Sequence, residues 1–312
     1  MRVDAYIHAL VARLAALYPR QEAQSLGLML LDHYASLSSH VYYTQPDTEI
    51  PASARVALNA ALEDLALGRP IQYVLGSTCF DGLDLRVREG VLIPRPETEE
   101  LLRWAAEWLT TTGSPEARLR ILDLCTGSGA LALALAKRFP RAEVFGVDVS
   151  EQALEQALEN SRSLGLAVQY MQGDILKTGP GAVLEAFATN DDMEAGPDAV
   201  MAHFSANMTA CFDLIISNPP YVCASEAVHM RRNVLDYEPA LALFVPDADP
   251  LRFYRALAAW GKRCLKPTGA LMMEINEAFG TELVLLFETE GFTQVCLRQD
   301  LFGKDRMLQA IL

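Results

Sequence analysis

The sequence predicts an α/β chain in which a Rossmann-like sheet follows a small helical bundle. Three observations carry that prediction. Residues 119–125 read as a strand that runs into the tight loop Thr126-Gly127-Ser128-Gly129, then a helix over 130–139 and a second strand, 142–147, ending in Asp148. The apolar run 212–217 reads as a buried parallel strand and stops at Asn218-Pro219-Pro220-Tyr221. Apolar residues of the first 70 or so positions recur at helical spacing, without the alternation of a strand.

Composition narrows the classes. The 312 residues are 51% hydrophobic, enough for a large core and two domains. No apolar run reaches the roughly 18 residues that span a bilayer. Residues 1–20 mix Arg2, Asp4, His8 and Arg13 with apolar positions, an amphipathic helix rather than a signal peptide, so a cytosolic protein is expected. The formal net charge of −14 disfavours a protein that grips nucleic acid through phosphates. The acidity is concentrated in residues 96–312, with 18 basic against 30 acidic side chains, and reads as a solvated surface. Six cysteines form no CxxC pair and several lie in apolar runs; five scattered histidines form no HxxxH or HExxH arrangement. No metal site is expected, and the cysteines read as small buried hydrophobes.

In chain order, helices are expected over 3–18 and 21–36, parted by Pro19, and a third after Pro51 that stops at Gly68-Arg69-Pro70. Residues 1–75 thus form a helical domain without a chemical motif, suited to docking a substrate. Between Thr78 and Ile93 the period drops to two around Asp81-Gly82, a strong hairpin signal, so 76–95 is expected to be a β-hairpin linker. Pro96 and the acidic residues after it favour a helix start; Arg95-Pro96-Glu97-Thr98-Glu99 on that basis alone is a linker with a well-made cap. Beyond Asp148 follow a helix over 151–164, a strand over 167–172 and Gly173-Asp174-Ile175. The interval 177–211, rich in Gly, Ala, Asp and Asn, reads as an insertion into a domain spanning 96–312. Residues 222–248 read as irregular, 250–266 as a helix, 270–275 as a strand, and 279–290 as a helix. A terminal antiparallel pair, 294–298 with 306–311, closes the chain. Such a pair appended to parallel βα units separates class I methyltransferases from plain nucleotide-binding Rossmann domains.

Two stretches carry chemistry. Gly127-x-Gly129-x-x-Ala132 fits a dinucleotide fingerprint, and Asp148 lies at the distance expected of a carboxylate that holds ribose hydroxyls. Asp174, at a strand end on the same edge, either accepts from an adenine amino group or caps a turn. The prolines at 219 and 220 force the backbone out of the sheet at its carboxyl edge, where open α/β sheets bind ligands. The Asn218 amide oxygen and the Pro219 carbonyl would be two acceptors suited to gripping an NH2 group, with the Tyr221 ring beside them. The bland alternative is a Pro-Pro turn in which Asn218 is an ordinary turn residue.

Several blocks together resemble the HemK/PrmC family of protein-glutamine N5-methyltransferases. They are Gly68-Arg69-Pro70-Ile71-Gln72-Tyr73-Val74-Leu75-Gly76, Phe80-x-Gly82, 91–99, 121–130, 217–221, Glu238-Pro239-Ala240-Leu241 and Asp300-Leu301-x-Gly303-x-Asp305-Arg306. The resemblance covers nearly the whole chain. It implies a class I S-adenosylmethionine-dependent methyltransferase, a Rossmann-like seven-stranded sheet with the helical bundle and hairpin in front. It implies methylation of the glutamine of the Gly-Gly-Gln tripeptide in class 1 peptide chain release factors, with no nucleic acid or membrane as direct partner. On it, S-adenosylmethionine would lie along Cys125, Thr126, Gly127, Ser128 and Gly129, with Asp148 on its ribose and Asp174-Ile175 near its adenine. Glu97 and Thr98 would sit near its methionine end. Asn218 and the Pro219 carbonyl would hold the substrate amide, with Pro220 completing the turn and Tyr221 packing on the glutamine side chain. Three departures stand out: Cys125 where the family often has Gly, Asn276 where Gly often follows Glu-Ile, and the length of 177–211.

The rival expectations share the NH2 chemistry. Sister enzymes methylate a ribosomal-protein glutamine, and others an adenine amine in nucleic acid, against which the acidic charge counts. A cofactor-binding module without activity is a further rival, against which the intact Asn-Pro-Pro-Tyr counts.

Overall fold

The computed structural model describes residues 1–112, 118–177 and 211–312. The chain divides into two units, Met1–Ser77 with Arg231–Tyr237, and Thr78–Met230 with Glu238–Leu312. The first unit holds α1 (Val3–Leu14), α2 (Arg20–Ala35), α3 (Ser39–Thr44), α4 (Arg55–Ala66) and α5 (Ile71–Leu75). Tyr6, Leu10, Leu14, Leu30, Leu58 and Leu65 are its buried centre. The expected helix 3–18 ends at Leu14, and Pro19 stands just ahead of α2, where its fixed φ suits helix entry. The short α3 and α5 escaped the periodicity reading because five or six residues make under two turns. Arg231–Tyr237, which the sequence reading kept in the 96–312 span, packs in this unit: Arg231 pairs with Glu22 at 2.8 Å and the Tyr237 hydroxyl donates to Leu67 O at 3.2 Å.

The second unit opens inside β1 (Ser77–Phe80), which pairs with β2 (Leu83–Arg86); the two are joined by Asp81 and Gly82 at φ 48° and 68°. Both residues sit in the left-handed region, as a two-residue turn of type I′ requires. Then come α6 (Pro96–Thr112), β3 (Arg120–Leu124), α7 (Ala130–Arg138), β4 (Glu143–Asp148), α8 (Glu151–Leu164) and β5 (Gln169–Gln172). Glu97 and Glu99 occupy the first turn of α6, where the helix dipole favours acid, and its Leu101, Leu102, Ala105 and Leu109 face the core. Helix α8 is capped by Ser150, whose Oγ accepts from Ala153 N at 3.2 Å, and stops at Gly165 in the left-handed region.

After the undescribed stretch, which contains all of the presumed insertion except Lys177 and Cys211, come β6 (Phe212–Ser217), β7 (Val222–Cys223), β8 (Phe244–Val245), a helix over Arg252–Cys264 and β9 (Leu265–Glu274). A helix over Gly280–Thr289, β10 (Gln294–Gln299) and β11 (Asp305–Ile311) complete the chain. The region read as irregular, 222–248, contains the small β7–β8 pair and short helical turns.

The main sheet has seven strands in the order β10-β11-β9-β6-β3-β4-β5. β3, β4, β5, β6 and β9 are parallel; β11 runs antiparallel between β9 and β10. Side chains along β6 alternate from Leu214 on: Ile215 joins Tyr254 and Trp260, while Leu214 and Ile216 join Leu101 and Leu133; an irregularity between Phe212 and Leu214 puts Phe212 on the Ile215 face. Both faces are therefore covered, which explains the unbroken apolar runs of these strands. Leu124 pairs with Val147 and with Ser217, and Ser217 with Met273, so the carboxyl ends of four strands stand in one row. The loops leaving β3, β4, β6 and β9 start from that row.

Among the described residues, no helix is long and apolar enough to cross a membrane, and no group of His, Cys, Asp and Glu could hold a metal ion. The cysteines differ from expectation in part. Cys223 and Cys264 are buried, but Cys79 and Cys296 are exposed on short strands at which only every second residue faces inward.

Candidate active site

A cavity of about 340 Å³ opens along this row of strand ends. Of the residues singled out in the sequence, Cys125, Gly127, Asp148, Asp174, Ile175, Asn218 and Pro220 line it. Thr126, Ser128, Gly129, Glu97, Thr98, Pro219 and Tyr221 do not, and the structure gives most of them other work.

The glycine loop is built from behind. Asp123, fully buried on β3, accepts from the Thr126 hydroxyl at 2.6 Å and from Ala132 N at 3.2 Å through the same Oδ2; its Oδ1 has no partner among the described residues. Burial pushes the Asp123 carboxyl up to about 7, helped by the Asp148 charge, against the pull of the Thr126 and Ala132 hydrogen bonds. Gly129 has φ 82°, and a Cβ there would meet the Tyr170 hydroxyl at 2.6 Å and Ala157 Cβ at 3.1 Å. Only glycine fits that position. The Ser128 carbonyl accepts from the buried Asn160 side chain at 3.0 Å, which locks the loop to α8. Cys125 also has positive φ, 61°, so a β-carbon stands where the backbone favours glycine, the physical content of its departure from the family pattern. Burial and the neighbouring Asp148 and Asp123 charges hold its thiol well above the usual range, so it stays neutral.

Asp148 accepts from Gly127 N through Oδ2 at 2.8 Å and from Ser150 N through Oδ1 at 2.9 Å. A carboxylate has about four lone-pair sites, so acceptor capacity remains beyond these backbone donors, and two neighbouring hydroxyls match it. Gly127, at φ 56°, has nothing within 4 Å of the place its Cβ would occupy, so backbone lies open to the cavity. Asp174 accepts from Leu176 N at 3.0 Å and pairs with Lys177 at 3.1 Å while still lining the cavity, so the two readings left open for it are compatible. Apolar walls come from Val91, Leu92, Val149, Phe244 and Phe253. An acidic pair at the ends of β4 and β5, an open glycine backbone and apolar walls fit a nucleoside-bearing cofactor.

The second half of the site hangs on one buried carboxylate, Glu274, at the end of β9. The Thr98 hydroxyl donates to Glu274 Oε2 at 2.7 Å, and the Tyr221 hydroxyl donates to Oε1, also at 2.7 Å. With its hydrogen committed, the Thr98 oxygen is an acceptor, and Asn218 Nδ2 donates to it at 3.0 Å. The chain of donors thus fixes which way the Asn218 amide faces: its NH2 points to Thr98, and its Oδ1 is left for the cavity side. Burial raises the Glu274 carboxyl, with a smaller push from Glu97; the Tyr221 and Thr98 hydrogen bonds and the Arg306 charge oppose it. Asn276 donates to the Tyr221 carbonyl at 3.1 Å and to Glu226 at 2.8 Å, and its Oδ1 accepts from Ala278 N at 3.0 Å. A glycine there would offer none of these bonds.

Glu238 forms a further brace. Its side chain is buried, pairs with Arg95 at 2.6 Å and accepts from Ile93 N at 3.3 Å. It ties the wall around Val91 and Leu92 to the wall around Pro239 and Leu241. The stretch Tyr237-Glu238-Pro239-Ala240-Leu241, expected from the sequence to flank the cleft, does so through Pro239 and Leu241, with Glu238 as their brace, whereas Glu274 was missed as a site residue. The only signal for Glu274 was an acidic residue closing the apolar run 270–275 at the edge where the other motifs end.

The order of the sheet, its antiparallel strand beside one edge, and a glycine loop with an acidic residue at the next strand end define a class I methyltransferase fold. The family described as a methyltransferase domain matches residues 121–212, and the PrmC N-terminal domain matches 6–76. A release factor glutamine methyltransferase of Bacteroides thetaiotaomicron is 37% identical over 311 residues, 99% of each chain. One of Flavobacterium psychrophilum is 36% identical over 309 residues, again 99% of each. One of Cereibacter sphaeroides is 34% identical over 313 residues, 100% of this chain and 99% of the relative. The chain belongs to the release factor glutamine methyltransferase family.

Proposed function

We propose that the protein transfers a methyl group from S-adenosylmethionine to the side-chain amide nitrogen of the Gly-Gly-Gln glutamine in class 1 peptide chain release factors, in the cytoplasm. The observation that carries this reading is the donor chain Asn218–Thr98–Glu274, which leaves an amide oxygen facing the cavity. When bound, S-adenosylmethionine supplies a methyl group already activated for transfer. Asp148 would hold its ribose, Asp174 and Ile175 would lie by its adenine, and the backbone at Cys125–Gly129 would lie along it.

The protein's own part is positioning. An amide nitrogen is a poor nucleophile because its lone pair is delocalised into the carbonyl. Asn218 Oδ1 and the Pro219 carbonyl accept from its two N–H bonds and aim the nitrogen, a contribution that in general is worth several kcal/mol. Overall, N–CH3 and S-adenosylhomocysteine would replace N–H and the sulfonium's S–CH3 bond, with the displaced proton released to water. Pro220 holds the turn that presents both acceptors. Tyr221 contributes from behind, since its hydroxyl is engaged by Glu274 and its ring packs toward the core. The helical residues 1–75 supply docking surface for the folded factor.

The test is incubation with isotopically labelled S-adenosylmethionine and a purified class 1 release factor, followed by peptide mass spectrometry. One methyl group on the amide of the Gly-Gly-Gln glutamine is the expected result. Label found elsewhere, or none, overturns the reading.

A further inference from the structure

Residues 300–304, the turn between β10 and β11, present two large apolar side chains to solvent: Leu301 is 83% exposed and Phe302 80%. Such exposure at a floppy loop would mean little, but this turn is tightly held. Asp300 N donates to Lys304 O at 2.9 Å, and Gly303 N donates back to Asp300 O at 2.9 Å. The buried Asp300 carboxylate accepts from Phe302 N at 2.9 Å and Lys304 N at 3.1 Å through Oδ1, and from Arg306 through Oδ2 at 3.3 Å. Lys304 pairs with Glu277 at 2.8 Å. Every backbone N–H from 300 to 304 has an acceptor, so what the turn turns outward is chiefly hydrocarbon.

Its position matters as much. Leu301 N meets Glu100 Oε1 at 3.5 Å, in the opening turns of α6, two residues beyond Thr98. Thr98 in turn contacts Asn218. Arg306, which holds the turn through Asp300, also acts on Glu274 and Tyr221. Met307 of β11 pairs with Glu274 at the end of β9, so the β10–β11 turn leaves the sheet at the same carboxyl edge as the Asn218 turn. A cofactor seated in the cavity has no use for it, and adjacent exposed apolar side chains on a held backbone at the site's edge suit a contact with a protein substrate.

We propose that residues 300–304 are a preformed docking knuckle for the protein substrate, with Leu301 and Phe302 seated against the stretch of release factor that flanks its target glutamine. The proposal rests on the substrate reading above and adds a surface that gives the factor affinity without touching the reacting atoms. The backbone of the turn is already ordered by these bonds, so little backbone freedom remains to be lost on binding.

The experiment compares wild type with a Leu301→Ser/Phe302→Ser double variant of the full chain. Affinity for a full-length release factor is measured by calorimetry with S-adenosylhomocysteine present, and initial rates are measured over a range of factor concentrations. The expected result is at least a tenfold loss of factor affinity and a matching rise in KM, with kcat and cofactor affinity within about twofold of wild type. Phe302→Leu should recover most of the loss. Unchanged factor affinity in the double variant overturns the proposal. So does a fall in kcat at saturating factor, which would place the turn's role inside the site. A wild-type dimer that the double variant converts to monomer, seen by analytical ultracentrifugation, would assign the surface to a second copy and equally overturn it. If wild type binds the factor through Leu301 and Phe302 but does not methylate it, the docking surface stands and the substrate reading fails.

Discussion

Asn218 and Thr98 face each other across 3.0 Å, and the direction of that hydrogen bond is set by a third group, Glu274, that touches no part of the cavity. An amide is nearly symmetric in shape but opposite in polarity at its two ends. An acceptor on Thr98 is what makes Asn218 present oxygen, rather than NH2, to an incoming amide.

Thr98→Val removes that acceptor while preserving shape. The rate of methylation at saturating substrates should fall about a hundredfold, the scale of losses from misaligned reacting groups. Cofactor affinity should change little, and Thr98→Ser should restore most of the rate. A valine variant with the wild-type single-turnover rate would show that Asn218 needs no such orientation.

The same chain sets a pH dependence. Ionised Glu274 can only accept; once protonated it can donate to Thr98, whose hydrogen is then free to turn toward Asn218 and reverse its amide. Activity should therefore fall on the acid side, with an apparent pKa above that of an ordinary glutamate, since burial raises this carboxyl. Arg306 lowers it, so Arg306→Met should move the acid limb to higher pH. The effect on folding has the opposite sign, because a raised carboxyl favours the folded state at low pH and loses that contribution as pH rises. Rate profiles of both proteins, with thermal melts at each pH, separate the two. An acid limb that does not move in the Arg306 variant would remove Glu274 from the explanation.

Asp148→Ala should weaken S-adenosylmethionine binding at least tenfold. A hydrogen bond to a charged acceptor is worth about 1.5–3 kcal/mol, and the carboxylate also pins Gly127 N. Calorimetric titration checks this. An unchanged dissociation constant would mean the ribose lies elsewhere.

Asp123 gives a stability prediction. Its carboxyl rises from 3.8 unfolded to about 7 folded, so its contribution is complete below about pH 4 and is lost as pH climbs to about 7. The loss amounts to about 4 kcal/mol across that window. Asp123→Asn keeps an acceptor for Thr126 and Ala132 and cannot ionise. Urea unfolding of both proteins between pH 4 and 7 should show wild type losing ground to the variant as pH rises. Parallel curves would mean that Asp123 ionises at its ordinary pKa.

Much of the fold was legible because its signals are local. Strand β3, the glycine loop, α7 and β4 lie within 30 residues, and each boundary carries its own glycine, proline or acidic residue. The terminal β10–β11 pair, expected as a hairpin, is equally local, its two strands joined by a short turn. The site was legible only where a motif happens to be contiguous, as at 125–129 and 218–221. Thr98 and Glu274 meet across 176 residues of sequence, and Asn218 and Thr98 across 120. No spacing rule links such positions; parallel strand order does, by bringing the ends of β6 and β9 side by side. Thr98 was singled out for the cofactor's methionine end, yet its observed contacts are with Asn218 and Glu274. The glutamate itself, closing an apolar strand, looked like any strand terminus.

The division of the chain has a practical consequence. Because Arg231–Tyr237 belongs with Met1–Ser77, the polypeptide passes between the two units at three peptide junctions, after Ser77, after Met230 and after Tyr237. A single protease cut near residue 77 would leave Arg231–Tyr237, which contacts Glu22 and Leu67, on the other fragment. Expression of the larger fragment alone would strip the seven residues immediately before Glu238 of their neighbours. The two halves are better exchanged between relatives as an interleaved set, with 231–237 travelling alongside the first 77 residues, than spliced at one seam.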